Sequence, residues 1–292
     1  MTTPPLSTVQ RAVRIALEED LALGDATTQA LFPQSIRARG IIVARQPLVA
    51  AGVLVAREVF AQVDPAITIV RAIEDGTRAA EGEKILVAEG EAASLLSAER
   101  VALNFLQHLS GIASLTARFC ALVRGYRTKV LDTRKTTPGL RSLEKWAVRL
   151  GGGVNHRHSL GDGILIKDNH LALLRARGRS VADACRVARD RGPHGVRIIV
   201  EAQSLSDVRE VLRGAADVIL LDNMPPSLVR DAVGLIKGRA LAEVSGGITL
   251  ETAREMAAAG ADYLSIGALT HSAPAMDISM DLVPVRRRAG HR

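Results

Sequence analysis

The spacing of hydrophobic and polar positions changes near residue 129, and the two parts of the chain predict different architectures. Over residues 8–19 and 53–63 apolar positions recur every three or four residues, which predicts helices. Apolar runs between turn-forming residues predict strands, and they cover 36–44, 67–73 and 84–88. Strands that carry helices on one face indicate an N-terminal α+β layer.

The longest helical pattern of the chain covers residues 94–123. We expect Ser94 or Ser97 to cap its amino terminus, because a hydroxyl can accept a hydrogen bond from a free backbone amide there. We expect Gly111 to kink or divide this helix.

After residue 129, short apolar runs alternate with amphipathic helical segments. The runs cover 129–131, 163–166, 197–200, 217–221, 240–244 and 262–266, and the clearest helical segments cover 204–212, 226–236 and 250–258. Such alternation predicts a parallel sheet with crossover helices. Six strands are fewer than the eight of a regular barrel, so we predict an open, incomplete (β/α) barrel, with a doubly wound sheet as the competing topology.

The chain is therefore predicted to be an α/β protein of two domains. The N-terminal α+β domain is expected over residues 1–115 and the barrel over 116–271. Residues 276–283 alternate apolar and polar positions, so we expect the tail, 272–292, to return to the N-terminal layer as a strand. Its final run of Arg is expected to be a solvated end.

Positive charge is concentrated in one part of the chain. Between Arg127 and His158 eight Lys or Arg face two acids, and four more Arg lie in the last seven residues, whereas the whole 292-residue chain carries only +7. A local cluster favours a site for a small, highly charged anion. Aromatic residues make up 2% of the chain, which argues against stacking on single-stranded nucleic acid.

Targeting and redox signals in the sequence are weak. The two Cys form no CxxC pair, so neither a zinc site nor a disulfide framework is expected. No apolar run approaches the roughly 18 residues of a membrane span, and no secretory leader is recognisable. We expect no membrane partner and a cytoplasmic location.

Polar residues follow each predicted barrel strand, and parallel strands bring their carboxyl ends to one mouth. After the last two strands lie Ser245-Gly246-Gly247 and Ser265-Ile266-Gly267. Glycine turns whose backbone amides point outwards can hold a phosphate, and barrels commonly bind phosphate after their last strands. Either turn alone would be read as an ordinary tight turn; together they favour a phosphate site.

Two acids end neighbouring strands. Glu201 and Asp222 are expected to face the mouth, where Mg²⁺ takes one or two carboxylates and completes its shell with water and phosphate. A general acid/base pair, a helix cap or an ion pair with Lys135 or Lys167 are the alternatives.

Four cations form the cationic side of the predicted mouth: Arg134, Lys135, Arg157 and Lys167. Arg offers a planar fork for two carboxylate oxygens, whereas Lys acts as a point charge. His156 is a plausible donor to an anion, and His271 lies just beyond the second phosphate turn. A solvated basic face is expected instead for Arg141, Lys145 and Arg149, which recur at helical spacing.

Several strings of this sequence resemble the quinolinate phosphoribosyltransferase family. They are Asp132-Thr133-Arg134-Lys135-Thr136-Thr137-Pro138-Gly139, Gly151-Gly152-Gly153-Val154-Asn155-His156-Arg157, Ile166-Lys167-Asp168-Asn169-His170, Leu221-Asp222-Asn223 and Glu243-Val244-Ser245-Gly246-Gly247-Ile248. The resemblance extends over nearly the whole length, with Trp146 where the family commonly has Tyr.

The resemblance implies a reaction and an assembly. Family members transfer ribose 5-phosphate from phosphoribosyl pyrophosphate to the ring nitrogen of quinolinate and release the adjacent carboxylate as CO₂, on the route to NAD. It implies Mg²⁺, a homodimer or an assembly of dimers, and Arg100 reaching across to the partner's site.

The resemblance also assigns roles to residues. Catalytic roles fall to Lys135, Lys167, Glu201 and Asp222, of which Glu201 and Asp222 would bind the metal. Substrate-binding roles fall to Arg100, Thr133, Arg134, Lys135, His156, Arg157, Lys167, Ser245, Gly246, Gly247, Ser265, Ile266, Gly267 and His271.

Three other functions stay open from the residues alone. A transferase of the same fold could act on a monocarboxylate such as nicotinate, and CO₂ release would distinguish the two. A sugar-phosphate aldolase or isomerase could use Lys167 as a Schiff-base amine. A basic nucleic-acid-binding protein is disfavoured by the local charge and the few aromatic residues.

Overall fold

The computed structural model describes residues 3–32 and 34–285. Contacts divide the chain into two compact units. The first comprises the chain up to Ala117, Thr137–Gly152 and the chain from Ser272, and the second comprises Arg118–Thr136 and Gly153–His271. The division differs from the predicted linear one because Thr137–Gly152 groups with the first unit. The terminal Arg run lies outside the described residues.

The described residues form eleven helices and twelve strands. The helices are α1 (Leu6–Asp20), α2 (Ala26–Leu31), α3 (Val53–Val63), α4 (Ala92–Leu122), α5 (Arg141–Leu150), α6 (Asp168–Arg175), α7 (Val181–Arg191), α8 (Leu205–Arg213), α9 (Pro226–Ile236), α10 (Ala253–Ala258) and α11 (Ala268–His271). The strands are β1 (Arg37–Ala44), β2 (Leu48–Val49), β3 (Thr68–Ala72), β4 (Arg78–Ala79), β5 (Lys84–Glu91), β6 (Lys129–Leu131), β7 (Ile164–Ile166), β8 (Ile198–Ala202), β9 (Val218–Asp222), β10 (Leu241–Ser245), β11 (Tyr263–Ser265) and β12 (Ile278–Pro284).

The first unit is built on an antiparallel sheet in the order β12-β1-β5-β3. The predicted return of the tail is confirmed, since β12 pairs along β1 with Ile41 opposite Asp281. Helix α1 packs against α3 through its buried Val9 and Val13. The amino end of α3 is capped from a distance, because the carboxylate of Asp75 accepts the amides of Val53 and Leu54.

Helix α4 runs without interruption for 31 residues, so Gly111 does not divide it. A Cβ at Gly111 would lie 2.1 Å from the carbonyl oxygen of Pro274, so the glycine instead permits close approach of a second backbone segment. The predicted caps are wrong too, since the helix already begins at Ala92. Ser94 and Ser97 donate to Asp64 and Asp25 respectively.

The second unit contains one six-stranded parallel sheet in the order β6-β11-β10-β9-β8-β7. From β7 to β11 neighbours follow chain order, and β6 then pairs with β11. This is the order of a barrel left open between β6 and β7, and it excludes the doubly wound alternative.

On the inner face of the sheet, apolar side chains give way to polar ones toward the carboxyl ends of the strands. Ile199, Val218 and Leu220 form a buried apolar cluster against which Leu165 and Leu241 pack. Side chains two residues apart on a strand share a face. The next positions toward the carboxyl ends on that face are therefore the polar residues Lys167, Glu201, Asp222 and Glu243, all of which line a pocket. Among residues 3–32 and 34–285 no helix has the length and hydropathy needed to cross a lipid bilayer.

Candidate active site

A pocket of about 720 Å³ lies at the carboxyl ends of the parallel strands in the second unit. Every site residue predicted in that unit lines it. These residues are Thr133, Arg134, Lys135, His156, Arg157, Lys167, Glu201, Asp222, Ser245, Gly246, Gly247, Ser265, Ile266, Gly267 and His271. The strand order therefore brings together seven separate segments of the chain at one mouth, which is where parallel α/β enzymes place their active sites.

Two guanidinium groups meet on one side of the pocket. Burial, together with the charge of Arg134, lowers the pKa of Arg157. Arg157 Nη1 donates to the carbonyl of Gly163 at 2.8 Å. Arg134 Nε is buried and makes no hydrogen bond within the described part of the chain. Like charges at close range with unused donors are the condition that an anionic ligand relieves.

Lys167 is the N-cap residue of helix α6 and lines the same pocket, and its amide donates to His170 Nδ1 at 3.0 Å. Its side chain stays 53% exposed and places Nζ 3.6 Å from Glu201 Oε2. The ion pair that sequence reasoning kept as an alternative is therefore present, although the separation is too long for a hydrogen bond.

Glu201 and Asp222 form the acidic side of the pocket. Glu201 is only 8% exposed, and burial raises the pKa of its carboxyl; Lys167 acts in the opposite direction, and the charge of Asp222 adds to the rise. Asp222 Oδ2 accepts a hydrogen bond from Asn223 Nδ2 at 2.9 Å. No cluster of three or more His, Cys, Asp or Glu suited to a metal occurs among the described residues. The two carboxylates are nevertheless a donor set that Mg²⁺ accepts when water and phosphate complete its shell.

The two predicted phosphate turns lie at the end of β10 and β11. Gly246 and Gly247 adopt positive φ of 93° and 59°, a conformation that glycine enters without strain. A Cβ at Gly246 would lie 2.1 Å from Asn223 Oδ1, and one at Gly267 would lie 3.0 Å from His271 Nε2. The helix predicted over residues 250–258 begins only at Ala253, so an anion at the first turn would meet backbone amides of the turn rather than a helix terminus.

Sequence reasoning missed two buried acids, Glu243 in the lining of the pocket and Asp132 behind it. Asp132 is fully buried and accepts from the His156 amide at 2.8 Å and from Asn155 Nδ2 at 2.6 Å. Glu243 is 2% exposed and contacts Ser265 and His156. A charged residue inside the apolar run 240–244 was the available signal, because an acid is buried only where donors surround it.

The predicted solvated basic face on α5 is wrong for Lys145, which is 3% exposed. Its neighbour Glu144 is fully buried and accepts from the Thr137 amide at 3.1 Å, with His108 Nε2 at 2.8 Å from its other oxygen. Of the three residues predicted for that face, Arg149 is exposed, Arg141 is half-buried and Lys145 is buried. Arg100, the remaining predicted site residue, lies exposed on α4 in the first unit.

Family models and known relatives all assign this chain to the same family. The model described as "Quinolinate phosphoribosyl transferase, C-terminal domain" matches residues 112–281, and the corresponding N-terminal domain model matches residues 25–110. Over 278 residues the chain is 46% identical to nicotinate-nucleotide pyrophosphorylase (carboxylating) of Mycobacterium leprae, covering 92% of this chain and 95% of that protein.

More distant relatives agree. The chain is 36% identical over 294 residues to the mitochondrial quinolinate phosphoribosyltransferase (decarboxylating) 2 of Nicotiana glauca, covering 95% of this chain and 83% of that protein. The solved nicotinate-nucleotide pyrophosphorylase of Francisella tularensis superposes with a TM-score of 0.90 at 35% identity, covering 97% and 98% of the two chains.

Proposed function

The chain belongs to the quinolinate phosphoribosyltransferase family, and we propose that the pocket of its second unit is where it carries out the family's reaction. The enzyme transfers the phosphoribosyl group of phosphoribosyl pyrophosphate to quinolinate and releases pyrophosphate and CO₂, giving nicotinate mononucleotide for NAD synthesis. The observation that carries the assignment of the site is that one pocket brings together two guanidinium groups and two carboxylates, and that both the buried Arg134 Nε and the buried Glu201 Oε2 make no hydrogen bond within the described residues.

Quinolinate carries two carboxylates on adjacent ring carbons. Arg134 and Arg157 supply two planar forks on one side of the pocket, and Lys167 adds a point charge. The buried Nε of Arg134, which makes no hydrogen bond within residues 3–32 and 34–285, supports a ligand with carboxylate oxygens at this position. These residues would fix the ring so that its nitrogen faces C1 of the ribose.

The phosphoribosyl donor presents phosphates at both ends. The turns at 245–247 and 265–267 would hold the 5-phosphate through backbone amides and the Ser side chains. Lys135 would face the pyrophosphate, with Thr133 and His271 beside it. Holding both reactants in line accounts for much of the rate, because the entropy of bringing them together is spent on binding.

Glu201 and Asp222 are the residues that would hold Mg²⁺, and the buried Glu201 Oε2 without a hydrogen bond from the described residues supports a cation there. When bound, the ion neutralises charge on the pyrophosphate. The C1–oxygen bond breaks with its electron pair leaving on pyrophosphate, and the ring nitrogen forms the new bond to C1. No protein nucleophile is needed, so the pocket acts by positioning and charge stabilisation.

Loss of CO₂ follows from the charge created on the ring. Once the nitrogen carries ribose, the pyridinium accepts the electron pair released from the adjacent carbon–carboxylate bond, and that carbon then takes up a proton. The Arg and Lys side chains would bind the dianion and retain the remaining carboxylate.

We also propose a homodimer, or an assembly of dimers, in which Arg100 of one chain enters the pocket of the other. The exposed position of Arg100 on α4 leaves it available for such a contact. Neither nucleic acid nor a membrane is needed for this chemistry, and a cytoplasmic location remains a prediction.

The direct test is turnover of the purified protein with quinolinate labelled in its 2-carboxylate, phosphoribosyl pyrophosphate and Mg²⁺. Equal amounts of nicotinate mononucleotide and labelled CO₂ are expected. Nicotinate in place of quinolinate is the control, and turnover of nicotinate alone would assign a monocarboxylate enzyme. Borohydride trapping at Lys167 would instead support the aldolase reading.

A further inference from the structure

A buried carboxylate joins the two halves of the pocket. Glu243, on β10, is 2% exposed, and its Oε1 accepts from Ser265 Oγ at 2.5 Å and lies 3.3 Å from His156 Nε2. Ser265 begins the second phosphate turn, on the neighbouring strand β11. His156 precedes Arg157, one of the two guanidinium residues. A single oxygen atom therefore contacts both sides of the site.

The contacts of His156 define which ring nitrogen carries a proton. Nδ1 accepts from the Arg157 amide at 2.7 Å, so in the neutral ring the proton must be on Nε2, which points at Glu243. The side chain of His156 is 9% exposed, and the backbone amide of the same residue donates to the buried Asp132. His156 is thus held between two buried acids, one through its backbone and one through its ring.

Ser265 Oγ donates to Glu243 Oε1, and both side chains are buried. A buried anion is tolerated only when donors satisfy it. Losing either donor would leave Glu243 unsatisfied, so the orientations of Ser265 and His156 depend on each other through one oxygen.

We propose that Glu243 is a positioning residue that holds the quinolinate side and the phosphoribosyl side of the pocket at a fixed separation. This inference rests on the proposed function of the same pocket. Glu243 acts through Ser265 on the phosphate turn, and through His156 on the backbone of Arg157. The consequence is that one substitution should weaken the use of both substrates, although Glu243 itself needs no contact with either.

The test compares Glu243→Leu, which removes the acceptor at similar size, with Glu243→Gln, which retains an oxygen in the position of Oε1. We expect E243L to raise KM for quinolinate and for phosphoribosyl pyrophosphate by roughly tenfold each, as expected when a buried hydrogen bond is lost. E243Q should stay within about threefold of wild type for both. A change confined to one substrate, or equal losses in E243L and E243Q, would overturn the proposal.

Thr128→Val is the matched control for a structural effect. It removes a buried hydroxyl, which donates to the Ala261 carbonyl at 2.6 Å at the opposite end of β11. It should lower Tm without changing either KM. If E243L fails to fold, the double-mutant cycle of Ser265→Ala and His156→Asn replaces it. Because both residues share Oε1, their effects on kcat/KM should be non-additive; additive effects would contradict the coupling.

A spectroscopic measurement separates this proposal from the function on which it rests. In wild type, imidazole ¹⁵N shifts of His156 should report a proton on Nε2 and an accepting Nδ1, and in E243L this preference should weaken. If wild type produces no nicotinate mononucleotide but His156 behaves as expected, the proposed function fails while the coupling stands. An unchanged His156 signal in E243L would reject the coupling.

Discussion

Glu201 Oε2 lies 3.6 Å from Lys167 Nζ and, within the described residues, accepts no hydrogen bond. The oxygen is buried, so the protein leaves one of its acids poorly satisfied in the middle of a polar pocket. Burial raises the pKa of Glu201, and the nearby lysine only partly opposes that rise. An acid kept in this condition is better suited to binding a ligand than to stabilising the fold.

Glu201→Gln should therefore increase stability while it impairs function. A carboxyl whose pKa is raised by folding stabilises the fold fully below its unfolded pKa and loses that contribution as pH rises through its folded pKa. At pH 7 the buried negative charge of Glu201 destabilises the folded state, and Gln removes it. E201Q should therefore have a higher Tm than wild type, and the difference should shrink toward pH 4, where Glu201 becomes protonated in both the folded and the unfolded protein. Activity at limiting Mg²⁺ should fall by at least about tenfold.

Thermal unfolding between pH 4 and 8 and a Mg²⁺ titration measure the two effects. Glu210→Gln, which changes an acid paired with Arg175 on the surface, is the control and should alter neither. Parallel Tm curves for E201Q and wild type would contradict the stability argument, and an unchanged Mg²⁺ dependence would remove Glu201 from the metal site.

Arg134→Ala should act selectively on quinolinate. Removing one of the two forks leaves a carboxylate of the dianion without its partner, so KM for quinolinate should rise by roughly tenfold or more, while KM for phosphoribosyl pyrophosphate stays within about threefold. Initial rates with each substrate varied in turn provide the measurement. Arg149→Ala, at an exposed position of α5, is the control. Equal losses for both substrates would argue against this role for Arg134.

The sequence predicted those parts of the fold that depend on local patterns. Helix α3 and strand β6 have the predicted bounds, because apolar periodicity is set by which face of an element is buried. The mouth of the barrel was predictable for a related reason: strand ends carry Glu201, Asp222 and the glycine turns, and parallel pairing brings such ends together.

The remaining features depend on partners distant in sequence. Gly111 lies within an unbroken helix, where the backbone of Pro274 approaches too closely to admit a Cβ, and no local pattern predicts that contact. Lys145 has the spacing of a solvated face, yet it is buried. Glu243 can be buried only because Ser265 and His156 satisfy it. Burial of charge is decided by tertiary contacts, and these were the residues that the pattern misjudged.

Gly246→Ala should damage the first phosphate turn. The new methyl group would lie 2.1 Å from Asn223 Oδ1, and φ of 93° is strained for any residue with a Cβ. Because Asn223 also donates to Asp222, the displacement should reach the acidic side of the pocket. We expect a lower Tm and a KM for phosphoribosyl pyrophosphate raised by roughly tenfold or more.

Gly234→Ala is the matched substitution. Gly234 lies within α9, and a Cβ there would have no neighbour within 4 Å. Since alanine restricts the unfolded chain and favours the helix, this variant should be more stable by about 0.5–1 kcal/mol and fully active. Equal KM values for phosphoribosyl pyrophosphate in the two glycine variants would contradict the argument that the close approach of Asn223 requires glycine at position 246.

Sharing of sites between chains can be tested by complementation. Arg100→Ala and Lys167→Ala should each inactivate the enzyme, the first through the pocket of the partner and the second through its own pocket. In a mixed dimer of the two variants one pocket carries both lesions, and the other carries neither. Random reassociation of equal amounts should therefore restore roughly a quarter of wild-type activity in a two-fold dimer. The mixture is prepared by co-refolding and assayed for nicotinate mononucleotide, with each variant co-refolded alone as the control. A mixture no more active than its components would mean that Arg100 serves its own chain, or none.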